Sequence, residues 1–172
     1  MDIPTNISPS DVDDVTTMLI GNDAHRMFSL AAGEDRFGTA PLSDSFLGLS
    51  HSNMIPSLNS MADFTKRANY PNPNMALERS EWGSMGNVRF FVSSQGAVMP
   101  KASALGNDIY PVTIMGAQAV VAIDQDSFTS QFVFRPAWVN DPLARNSTMA
   151  WVASFANAIS DDEWILNLQC TL

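Results

Sequence analysis

From Asn87 onward the apolar residues arrive in short runs separated by turn chemistry, and this pattern constrains the fold more than any other. Val88, Phe90 and Val92 alternate with Arg89, Phe91 and Ser93, the period-two signature of a strand. A loop is expected over 94–106, closed by the turn signal Gly106-Asn107-Asp108. Two apolar strands are predicted at 109–115 and 118–123, on either side of Gly116, where a bend or bulge fits. A further strand is predicted over 128–138, with Phe132 and Phe134 facing one way. The segment 148–159 carries Met149, Trp151, Val152, Phe155 and Ile159 and fits a strand or a helix, with strand preferred. Asp161-Asp162 marks a turn before a final strand over 164–172.

The first half is different. Ser8 is placed to cap a helix, Pro9 suits its first position, and Asp11 completes a Ser-x-x-Asp capping pattern. Asp13 and Asp14 favour the positive end of the helix dipole. Val12, Val15, Met18 and Leu19 form one apolar stripe. The helix is expected to run on through His25 and Phe28 to Leu30, with Gly33 as its stop. A short strand is predicted at 46–49. Ser52 then opens a second helix with Met54, Ile55, Leu58 and Met61 on one side. Two prolines within Tyr70-Pro71-Asn72-Pro73-Asn74 forbid regular pairing, and Trp82 ends that irregular stretch. Gly83-Ser84-Met85-Gly86 reads as a turn. Helices first and strands afterwards predict an α+β fold with a mostly antiparallel sheet. At 172 residues the chain makes one domain, or one domain with two lobes.

Charged residues are 16% of the chain against about 25% in ordinary soluble domains. A surface short of charge suits burial against other copies, although a plain globular domain has the same composition. The net charge of −9 argues against wrapping nucleic acid, which needs clustered Lys and Arg. Only Lys66 and Arg67 are adjacent among the basic residues. Cys170 stands alone, so no intrachain disulfide forms, and its apolar strand predicts a buried thiol. The opening residues lack the basic and apolar regions of a signal peptide. The apolar stretch 112–123 is too short to span a bilayer.

Catalytic signals are sparse. There is no phosphate-binding loop, no dinucleotide-binding turn and no Gly-x-Ser-x-Gly elbow. His25 and His51 have no His or Cys neighbour at metal-ligand spacing. Glu34-Asp35 and Asp161-Asp162-Glu163 read as solvated turns rather than paired acids, and calcium-loop spacing is absent. The four tryptophans lie among acids rather than along a basic stripe, so packing or subunit contacts suit them better than single-stranded nucleic acid.

Several segments, in order, resemble the phage N-4-type major capsid protein family. They are Ala40-Pro41-Leu42 with Phe46-Leu47-Gly48-Leu49, and Ser80-Glu81-Trp82-Gly83 with Asn87-Val88-Arg89-Phe90-Phe91. Ile109-Tyr110-Pro111-Val112 with Gly116, and Asp141-Pro142-Leu143 with Met149-Ala150-Trp151, follow. Ile159-Ser160-Asp161-Asp162-Glu163-Trp164-Ile165 closes the pattern. The resemblance covers roughly 9–172 and implies the Hong Kong 97-type capsid fold. It implies one capsid-type domain over 1–172, with 8–36 as the spine-helix region of the peripheral domain. Residues 37–172 would supply mixed axial and peripheral strands and helices. Family members carry an N-terminal arm and an extended loop ahead of the spine helix. This chain starts just before that helix, so the match implies their C-terminal portion or a shortened homologue.

What the resemblance implies is a structural role rather than an enzymatic one, with no cofactor and no metal. Copies would associate into hexamers and pentamers of an icosahedral virion shell, assembled in the host cytoplasm. Other virion proteins are possible partners. The shell would enclose DNA without sequence-specific binding and without a membrane. Trp82 and Arg89 are the candidate subunit-interface residues, and Trp138 and Trp151 the candidate packing residues. Two rival readings remain: a non-capsid oligomeric shell or virion accessory module, and a small hydrolase with an unmarked serine or carboxylate site, which a deep pocket holding His25 or His51 beside an acid and a serine would favour.

Overall fold

The computed structural model describes residues 5–28, 43–70, 80–103, 105–124, 130–136, 143 and 145–172. The chain divides into two compact units, one of Met1–Ala119 with Asp161–Leu172 and one of Val120–Ser160. Its helices are α1 (Pro9–Gly21) and α2 (Ile55–Ser60). The strands are β1 (Phe46–His51), β2 (Thr65–Lys66), β3 (Glu81–Met85), β4 (Val88–Ser93), β5 (Ile109–Met115), β6 (Val120–Asp124), β7 (Gln131–Arg135), β8 (Thr148–Val152), β9 (Phe155–Ile159) and β10 (Ile165–Thr171). The fold is α+β.

In the first unit six strands form one sheet in the order β10-β5-β1-β4-β3-β2. Only β1 and β4 pair in parallel, and every other pair is antiparallel. Side chains alternate across a strand, so the sheet has two distinct faces. Phe46, Val88, Phe90, Val112, Ile114 and Cys170 turn to one face and join Val12, Val15, Leu19, Met54 and Leu58 of the helical layer in a single core. Leu47, Leu49, Arg89, Phe91 and Thr113 occupy the other face, as the β1–β4 and β1–β5 registers require. Burial, helped by the negative charge of Asp11, pushes the Cys170 thiol up to about 11.

Helix α1 begins as its sequence predicts. The Ser8 Oγ accepts from the Asp11 N–H, and Asp11 Oδ2 accepts from the Ser8 N–H at 2.9 Å. Its end differs from the expectation. The helix stops at Gly21 instead of running through His25 and Phe28. Asp23 adopts φ 55°, its N–H donates to the Ile20 carbonyl, and the Ala24 N–H donates to the Leu19 carbonyl at 2.9 Å. This left-handed stop is usually made with glycine, and Asp tolerates it because its short polar side chain suits that region. Val12, Val15 and Leu19 are buried as predicted, whereas Met18 faces solvent. Ser8→Ala removes one half of the reciprocal cap. It is expected to cost about 1 kcal/mol, a calorimetric fall of roughly 2–4 °C in Tm, with Ser8→Asp largely preserving the wild-type value.

The sequence turn at 83–86 is corrected. Glu81–Met85 is a strand, and the chain reverses at Gly86, whose φ is 54°. A register shift between Glu81 and Gly83 turns Trp82 outward and leaves both neighbours buried. A Cβ at Gly83 would lie 2.6 Å from the Thr65 carbonyl oxygen and 2.6 Å from the Phe64 ring, so no larger residue fits.

The second unit is a ribbon. β6 pairs with β9 and β7 with β8, both antiparallel, so the chain runs out along β6 and β7 and returns along β8 and β9. Residues 125–130 separate β6 from β7, whereas only Ala153 and Ser154 separate β8 from β9. The segment 148–159 is thus strand, in two pieces.

Candidate functional site: an exposed apolar ribbon and a sheet groove

Directly opposed residues of an antiparallel pair point to the same side. Phe132 opposes Trp151, and Phe134 opposes Met149. One face of the β7–β8 ladder therefore carries three aromatic rings and a thioether, and no charge. These side chains stay open to solvent: Phe132 68%, Phe134 49%, Met149 69% and Trp151 76%. Along the β6–β9 ladder Val120, Val121, Ile123, Phe155 and Ile159 are exposed as well. A lone two-stranded ribbon is marginal in water, and a contiguous apolar patch of this kind marks an interaction surface.

The first unit has a second apolar feature. On the sheet face away from the helices lies an open groove of about 710 Å³. Met27, Phe28, Leu47, Leu49, Phe91 and Pro111 give it its apolar lining, and none of the described lining residues is charged. Phe28 is fixed over this face by three contacts. Its backbone bridges Ser45 in both directions, its ring stacks on Phe91 at 5.5 Å, and the Arg89 guanidinium lies 5.3 Å from its centroid.

Beside the groove a polar group is sealed into the sheet. Glu81 and Arg89 are each 2% exposed, and Tyr70 and Ser84 are buried with them. Both Glu81 carboxylate oxygens and the Tyr70 hydroxyl lack a hydrogen bond of ordinary geometry. Even so, the phenol feels its neighbours. Burial chiefly, then contact with Glu81 and its charge, hold the phenol proton far above the ordinary tyrosine range, while Ser84 and Arg89 pull the other way. The stabilising share of this proton is whole below about pH 10, the unperturbed value, and is lost above it.

The four singled-out residues land in different places. Trp82 sits at the bulge of β3, partly exposed, with its indole N–H donating to Asn59 Oδ1 at 3.1 Å. Arg89 does not reach a contact surface. It lies on an inner strand beneath Phe28, and a side chain this buried presents nothing to a partner. Trp151, expected in packing, is instead the most exposed of the described ribbon aromatics. Trp138 lies outside the described residues. Phe132, Phe134 and Met149 were legible only as one side of a strand, and nothing in their pattern announced that this side stays uncovered.

The residues weighed for catalysis are used in packing. His25 meets the Trp164 ring edge-on at 5.1 Å. His51 Nδ1 accepts the Asn53 N–H at 3.1 Å, and its ring lies 5.6 Å from that of Tyr110. Asp161 caps the short turn before β10 by accepting from the Glu163 N–H, and Glu34-Asp35 lies outside the described residues. Among the described residues no group of three potential metal ligands occurs, and no helix is long and apolar enough to cross a membrane. No protein-family model matches the chain, and no curated protein matches its sequence.

Proposed function

We propose that this chain is a structural coat subunit of a tailed double-stranded DNA phage. It would be built on the Hong Kong 97-type fold and self-assemble into hexamers and pentamers of an icosahedral shell. The observation that carries the self-assembly reading is the ribbon, whose uncharged aromatic face is exposed on the single chain. The segments resembling the N-4-type capsid family give it its phage setting. A shell multiplies modest contacts by symmetry, so each subunit needs apolar surface that a monomer leaves open. The net charge of −9 suits a container wall that DNA slides past.

Light scattering after size exclusion, with negative-stain microscopy of the same peak, tests this. Rings or closed shells are the expected result, and a clean monomer at all concentrations would remove the reading. The same ribbon also suits a non-capsid oligomeric shell, which symmetry and nucleic-acid content of the particles would separate from a capsid.

A further inference from the structure

We propose that the aromatic face of the ribbon of one copy seats in the sheet groove of a second copy, in a head-to-tail contact. This rests on the self-assembly reading above and names the two surfaces that meet. The donor surface is Phe132, Phe134, Met149 and Trp151. The acceptor is the groove floored by Leu47, Leu49 and Phe91 and walled by Phe28.

Three physical arguments select a second copy as the occupant. The first is charge. Two chains of net charge −9 repel each other, so contact is least costly where neither side is charged. The ribbon face bears no charged residue, and neither do the described residues of the groove. The second is shape. The ribbon presents a row of exposed rings, and a groove of about 710 Å³ is concave and large enough for side chains of this class. The third is area. An aromatic side chain buries roughly 150–250 Å². At their observed exposures the three rings have on the order of 300–500 Å² left to hide. Counting both partners gives at most roughly 600–1,000 Å², below the ~1,200 Å² of a stable standard interface. One such contact is weak, and it becomes strong only by repetition.

Repetition follows from the geometry of the pairing. Donor and acceptor are different patches, so the contact is heterologous, and every subunit gives one ribbon and receives one. Heterologous contacts generate rings where the rotation closes and open filaments where it does not. A weak contact of this type also lets a misplaced subunit leave before it is locked in.

The test uses complementary variants of the full chain. The double variant Phe132→Ser, Trp151→Ser removes the donor face and keeps the groove. Leu49→Glu charges the groove and keeps the ribbon. Ala97→Trp, at an exposed groove position, blocks it sterically with little risk to the fold. Far-UV circular dichroism confirms that each variant folds, and sedimentation velocity reads the mass. Wild type is expected to form multi-subunit species. Each variant alone is expected to self-associate at least about tenfold more weakly, the effect of losing one anchor of roughly 1.4 kcal/mol. An equimolar mixture of the ribbon variant with either groove variant, taken to concentrations that populate a single weak contact, is expected to form a dimer and stop there, because one good ribbon meets one good groove. If both groove variants assemble like wild type, or if the mixture stays monomeric, the ribbon does not seat in a partner's groove and the inference is overturned. If wild type itself is monomeric, the self-assembly reading fails with it.

Discussion

Arg89→Ala is expected to destabilise the first unit by about 3–5 kcal/mol, the usual cost of leaving a buried opposite charge uncompensated. Register brings the two charged residues to one face. Arg89 pairs with Ser84 across β3–β4, and Glu81 pairs with Phe91, so both charged residues share the sheet face away from the helices. Neither reaches water, and no ordinary hydrogen bond satisfies the Glu81 carboxylate oxygens. The guanidinium is the buried positive charge of this group, and the Tyr70 phenol senses it together with Glu81. Removing it also ends the cation–π contact with Phe28, worth about 2 kcal/mol when desolvated. Arg89→Met keeps most of the side-chain volume, so it isolates the charge. In the Arg89→Met background, Glu81→Gln is expected to recover stability, giving a favourable coupling of roughly 1–3 kcal/mol. Urea unfolding of the ribbon variant Phe132→Ser, Trp151→Ser as host keeps association out of the measurement. A cost below ~1 kcal/mol for Arg89→Met, with no response to Glu81→Gln, would mean the two charges do not stabilise each other.

The same residues show which parts of the structure the sequence carries. The alternation over 88–93 predicts strand β4 because half of it meets the helical layer. It also places Arg89 on the opposite side, where a polar residue ordinarily meets water. Phe28 closes that side through contacts between residues far apart in the chain, and no local pattern announces such a cover. Strand β3 was hidden for a related reason. Its bulge breaks the alternation, and Gly83 reads as a turn residue although it serves the close approach of Phe64 and Thr65. The overrun of α1 has a third origin. Asp23 takes the left-handed stop that the sequence assigned to a later glycine. Trp151 marks the limit for the candidate site. A tryptophan in a strand is core or interface, and the choice depends on whether another layer covers that strand. Within the ribbon, cross-strand partners on one face leave it open.

Phe90→Ala is expected to cost about 3–5 kcal/mol, toward the upper end of that range. Phe90 is fully buried on β4, and its register partner on β1 is Gly48. A Cβ built on Gly48 would lie 3.1 Å from the Phe90 ring and 3.0 Å from Val88 Cγ1, so the ring fills the space that glycine leaves. The partner strand has no side chain there to relax into a void. Removing the ring therefore leaves a cavity close to its full size, and the loss grows with that volume. The pairing makes a sign-specific expectation for a double-mutant cycle. Gly48→Ala in the wild-type background pushes a methyl group against the ring and against Val88, and is expected to destabilise. In the Phe90→Ala background one of those obstacles is gone and the methyl group fills part of the cavity. The two changes together are thus expected to cost less than their sum by roughly 0.5–3 kcal/mol. Simple additivity in urea unfolding would show that Val88, and not Phe90, sets the size limit at Gly48.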